Sequence, residues 1–158
     1  MYLERHHKAV EGYLGKDLEE MKEKNPSGWK IVEPYVIERD THIHWLDLSE
    51  EVGYWRKANA IHRWFVENVQ NGVDDCGRYN VSKEQLEELL ENCKEVIKNH
   101  LNEEDDYSIL PTEDGFFFGS TEYDEWYYED ISSTIKILEK VLAETDFENY
   151  QITYQSSW

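Results

Sequence analysis

Arg56, Asn59 and Arg63, three and four residues apart, share one stripe if residues 50–70 form a helix, and Gln70 extends it seven residues on. Two guanidiniums and an amide so aligned can hold a carboxylate or phosphate in bidentate fashion. They can equally bridge to the chain's own abundant carboxylates, and that internal use is the expected one. On the same projection His62 falls within an apolar face of Trp55, Ala58, Phe65, Val66 and Val69. An imidazole there is expected to be a buried, hydrogen-bonded core residue, the other reading being a ligand or proton-transfer group. Trp64 projects opposite that face, beside Lys57 and Asn68, so it is either covered by another element or an anchor for a partner.

A second set lies farther along. Glu122, Glu125 and Glu129 share one face of a helix read over residues 121–144, with Trp126 among them. The buried stripe of that helix is Tyr127, Ile131, Ile135, Leu138 and Leu142. Asp124 projects onto the same line one turn earlier, so it is expected to face inward, paired with Arg56 or Arg63 or with the amides at the helix start. Catalytic patterns are thinner. His42 and His44, two apart, could share a metal with a carboxylate, but no third ligand is marked. The chain has no phosphate loop, dinucleotide fingerprint or nucleophile elbow. No catalytic residue, metal ligand or cofactor is assigned.

Charge narrows the partners. With 35 acidic and 16 basic side chains the formal net charge is -19, a field that disfavours direct nucleic-acid binding and attracts basic protein surfaces. Between Asn99 and Ile135 there is no Lys or Arg, while Glu103, Glu104, Asp105, Asp106, Glu113 and Asp114 precede the acids of the 121–144 helix. Tyr107, Phe116, Phe117, Phe118, Tyr123, Tyr127 and Tyr128 are interleaved with them. Acids mixed with aromatic anchors suit a basic groove on another protein, including one that normally holds nucleic acid.

The elements that must position these groups follow from periodicity and caps. Leu3, Val10, Leu14, Leu18 and Met21 predict a first helix over 2–24, and the β-formers between Trp29 and Trp45 predict a hairpin, with Pro34 at an edge or bulge. Ser49 reads as the start of a helix over 50–71, followed by a loop over 73–80. Ser82 with Gln85 forms a capping box for a helix over 83–101. Residues 149–155 alternate as a closing strand. The expectation is one acidic α+β domain over 1–158, about four helices on a small, mainly antiparallel sheet. Cys76 and Cys93 read as reduced thiols, no run spans a bilayer, and the opening residues lack the apolar core of a signal peptide. These features predict a cytoplasmic protein that does not engage membranes.

Tyr54–Val66 (YWRKANAIHRWFV), Val69–Gly77 (VQNGVDDCG), Leu110–Thr112 and Gly115–Glu125 (GFFFGSTEYDE) make the chain resemble a family of uncharacterised bacteriophage and prophage proteins. The resemblance covers roughly residues 53–81 and 107–158. It implies phage origin and a small accessory protein, a type often aimed at host enzymes or defences; it carries no activity or catalytic residues with it. Together with charge, it leads to an expected non-enzymatic binder in the host cytoplasm. Such a protein would antagonise a defence or nucleic-acid-handling protein with a basic surface, through Trp64, Glu122, Glu125, Trp126 and Glu129. One alternative is a sponge for a phosphorylated, nucleotide-derived small molecule held by Arg56, Asn59, His62, Arg63 and Asp124. Another is a small hydrolase of unrecognised type.

Overall fold

The computed structural model describes residues 1–8, 22–35, 49–115 and 119–157. Four strands, β1 (Tyr2–His7), β2 (Ser49–Tyr54), β3 (Arg78–Val81) and β4 (Tyr150–Gln155), form one sheet in the order β2-β1-β4-β3, every pairing antiparallel. The helices are α1 (Pro26–Val32), continued by a 3-10 turn at Glu33–Tyr35, then α2 (Asn59–Asn68), α3 (Lys83–Leu101) and α4 (Glu125–Glu144). The class is α+β.

Residues directly opposite on paired strands share a face. The registers Leu3↔Tyr154, Tyr79↔Tyr154, Val81↔Ile152 and Leu3↔Gly53 therefore assemble an apolar face. The helices cover it: Leu3, Val81, Ile152 and Tyr154 join Ile61 and Phe65 of α2, Leu86, Leu89 and Cys93 of α3, and Ile131, Leu138 and Val141 of α4 in one core. At Gly53 an added Cβ would lie 2.6 Å from Ile137 Cγ2, so only glycine lets α4 lie this close to β2. The opposite face carries Glu4, His6, Asn80 and Thr153, with His6 Nε2 2.9 Å from Thr153 Oγ1.

Several expected elements differ. Residues 2–7 are the strand β1 and not part of a helix; Leu3 and His6, three apart, are both buried because they point to opposite covered faces, with a bulge between Leu3 and Glu4. The rest of that proposed helix from 9 to 21 lies outside the described residues. Trp29–Val32 is helical, not extended. Its N-cap Asn25 accepts from the Gly28 amide at 3.0 Å and Pro26 sits at the first helical position. Residues 36–48, including His42 and His44, lie outside the described residues. Ser49 opens the edge strand β2 and not a helix, so the long 50–71 helix contracts to α2; Arg78–Val81 is a strand and not loop. The 83–101 helix, its capping box and the closing strand match expectation, and α4 begins four residues later than the 121 expected. No helix among the described residues is long and apolar enough to cross a membrane.

Candidate functional site

Between β2 and α2 the chain turns through Trp55–Ala58, with Lys57 in the left-handed region at φ 63°. Ala58, at the N-cap of α2, has no side-chain oxygen to offer the first amides. Thr112 and Ser120, from farther along the chain, meet this region. Asn59 Nδ2 donates to the Ser120 carbonyl at 2.6 Å, Arg63 Nη1 to the Thr112 carbonyl at 3.1 Å, and the Tyr127 hydroxyl to the Leu110 carbonyl at 2.8 Å. The Thr112 hydroxyl donates to the Thr121 carbonyl at 2.9 Å. Gly119, at φ 82°, would place a Cβ 3.2 Å from the Lys57 carbonyl oxygen.

Two members of the expected ligand stripe are thus committed inside the fold. Asn59 is buried against Ser120, and Arg63 also pairs with Glu67 at 2.9 Å. Arg56 is exposed and engaged by no hydrogen bond or ion pair among the described residues.

His62 is 2% exposed, as expected for a core histidine. Its Nδ1 lies 2.7 Å from the Tyr154 hydroxyl and its Nε2 3.1 Å from Asp74 Oδ2. Phe65 stacks on the Tyr154 ring at 3.9 Å, sealing the group within the core. Burial first, then the nearby Asp74 and Cys76, raise the Tyr154 phenol well above its ordinary range. This chain of hydrogen bonds ties the 73–77 loop to β4 and α2. The functional reading of His62 as a ligand group gives way to a structural one.

Trp64 is 5% exposed, which contradicts its expected place on a partner-binding surface. It meets Phe65 edge-on at 5.3 Å and, with Ile109–Pro111 and with Glu88 and Asn92 of α3, lines a cleft beside α2. Asp124 differs in part. It is half-exposed, and its Oδ1 accepts from the Trp126 and Tyr127 amides at 3.0 and 3.2 Å, so it caps α4 and does not pair with Arg63 or Arg56.

Glu122, Glu125 and Glu129 are all exposed, and Trp126 is 70% exposed among them. Beside this patch a cavity of about 330 Å³ opens between the N-terminal ends of α2 and α4. Its apolar wall comes from Ala58, Ile61, Tyr127 and Ile131. Asp130, which the sequence offers only as one of the acids crowded between Asn99 and Ile135, lines it too: its carboxyl has no hydrogen bond or ion pair among the described residues, and burial, then Glu129 and Asp124, push it up to about 6. Sequence did hold a signal for it, since Asp130 stands three residues after Tyr127 and four before Thr134, an acid in a buried row.

Among the described residues no three His, Cys, Asp or Glu side chains come together as a metal site. Comparisons with protein-family models, curated proteins and solved structures return no match to this chain.

Proposed function

We propose that the protein is a phage-encoded, non-enzymatic accessory protein that binds a basic surface on a host protein through the N-terminal turns of α4. The observation that carries this reading is Trp126, a large ring 70% exposed and flanked by the exposed carboxylates of Glu122, Glu125 and Glu129. Exposing an indole to water is unfavourable, and an aromatic ring with a charged rim is the usual composition of an interface anchor. The uninterrupted acidity of residues 99–135 supplies long-range attraction to basic surfaces such as those that hold nucleic acid. The resemblance to phage proteins supports a target in host defence or nucleic-acid handling, met in the host cytoplasm. The alternative of a nucleotide-binding stripe is weaker, because Asn59 and Arg63 already donate to the Ser120 and Thr112 carbonyls.

The test compares the wild-type chain with the Glu122→Lys/Glu125→Lys/Glu129→Lys variant and with Trp126→Ala, each immobilised in extract from the bacterial host. Host proteins retained by wild type and lost from both variants, with association slowed by salt, are the expected result. Retention unchanged by both variants, or a retained nucleotide that depends on Arg56, would overturn the reading.

A further inference from the structure

The cavity beside Trp126 is unlike the rest of the acidic surface because it combines an apolar floor, an exposed indole and a carboxylate without a partner among the described residues. At about 330 Å³ it lies at the small end of ligand-sized pockets, matching a side chain better than a cofactor. Ala58, Tyr127 and Ile131 form its nearly buried floor, so an alkyl stem meets mainly the exposed Trp126 ring. Of the lining carboxylates, Asp124 is already committed to the Trp126 and Tyr127 amides, which leaves Asp130 as the half-buried acceptor. A flexible alkyl chain ending in a planar cation satisfies all three features. Guanidinium can stack on an indole face while pairing with a carboxylate, which an ammonium does less well.

We infer that this cavity seats an arginine side chain of the partner protein, with the Asp130 carboxylate as its counter-ion and the Trp126 indole as its stacking face. The inference rests on the reading of the α4 surface as a docking site for a basic protein, and it names the chemistry of the docked residue. Two cations, Arg56 and Lys57, also line the cavity, against Glu122, Asp124 and Asp130. Both are exposed at the rim, and Glu125 and Glu129 add further negative charge beside it. Burial, then Glu129 and Asp124 from α4 and its cap, set the charge state of Asp130, while Glu122, Arg56 and Lys57 are the other charged groups lining the cavity. A carboxyl titrating at about 6 is ionised above that pH and neutral below it. Seating of the cation strengthens as pH rises through 6, and the bound cation pulls the proton off.

The experiment titrates the isotope-labelled full chain with n-butylguanidinium chloride, following the Asp130 carboxyl carbon and the Trp126 indole N–H by NMR. Saturable shifts at both groups, a lowered Asp130 titration midpoint, and affinity reduced about tenfold in Asp130→Asn are expected, as for loss of one charge-assisted hydrogen bond. Arg56→Gln should tighten binding, opposite to what an anion site would show. Absence of saturation, or equal affinity in Asp130→Asn, overturns the seat. Equal or tighter binding of n-butylammonium overturns the assignment to arginine. The two readings separate through Glu125→Lys/Glu129→Lys, which alters the rim and not the cavity lining. Loss of the host complex in that variant, with no n-butylguanidinium binding in wild type, keeps the docking surface and removes the seat. Saturable binding, with a host complex indifferent to the rim variant, keeps a cation site and removes the docking surface.

Discussion

Replacing Asp130 by Asn should make the protein more stable, and only above a defined pH. The carboxyl rises from 3.8 to about 6 in the folded chain, with burial the largest cause. At roughly 1.4 kcal/mol per pH unit, the full shift corresponds to about 3 kcal/mol of destabilisation of the ionised form. Asp130 is only half-buried, so solvent screening reduces this to on the order of 1 kcal/mol. The sign follows from proton uptake. Because the folded state binds the proton more tightly than the unfolded state, the contribution of this group is most favourable below about pH 4. It declines as pH rises from about 4 to 6, and the penalty is complete above 6. Asn is nearly isosteric and never ionises, so Asp130→Asn should raise Tm by about 2–4 °C at pH 8 and leave it close to wild type near pH 4. Thermal melts followed by far-UV circular dichroism across that range are the assay. A variant no more stable than wild type at pH 8, or stabilised most at low pH, refutes the reasoning. A gain in stability joined to a loss of n-butylguanidinium binding would mark Asp130 as a group held at a cost to the fold.

The two tryptophans should behave oppositely. Trp64→Ala removes a ring that is 5% exposed and should cost about 3–5 kcal/mol in urea denaturation, whereas Trp126→Ala should change stability by no more than about 0.5 kcal/mol. His62→Ala leaves Asp74 and the Tyr154 hydroxyl without the imidazole between them and should destabilise by about 2–4 kcal/mol; a smaller loss than Asp74→Ala produces would show that His62 is not the centre of that group. Burial pushes the Cys93 thiol up to about 12 while Cys76 is only half-buried, so a thiol reagent at pH 8 should label Cys76 in the native protein and Cys93 only after unfolding. Rapid native labelling of Cys93 would contradict the packing between α3 and α4.

What could be read from the sequence was what local interactions decide. The Ser82 and Gln85 capping box and the apolar row of α3 act within a few residues of one another, and both appear where expected. The strands β1 and β2 were hidden because their pairing is distant: Tyr2–His7 finds its partners at Ser49–Tyr54 and Tyr150–Gln155. The short sequence YLERHH, buried on both faces, has no simple alternation to announce it. Ser49 with Glu50 and Glu51 imitates a helix start, yet charged residues also suit an edge strand, where Arg5 pairs with Glu50. At α1 the signal was present and misassigned, since Asn25 followed by Pro26 is an N-cap and first-turn pair as well as a turn dipeptide.

The site was legible in the same uneven way. Exposure of Glu125, Trp126 and Glu129 followed from helical projection, while Glu122, exposed as well, lies before the helix and not on its face. Trp64 failed the same projection because tertiary packing, which a helical projection does not contain, buries it in the core. Asn59 and Arg63 looked available for a ligand for the same reason: their acceptors are carbonyls about 50 to 60 residues away.

The central claim is that Trp126 and its acidic rim meet a basic host protein. A photo-reactive amino acid placed at position 126, activated in host cells infected by a phage carrying the gene, measures that contact directly. The account predicts a crosslink to one host protein through a basic segment, retained when Arg56 is replaced by Ala and lost when Glu122, Glu125 and Glu129 are replaced by Lys. No crosslink above background, or one of equal yield in the charge-reversed variant, would contradict it.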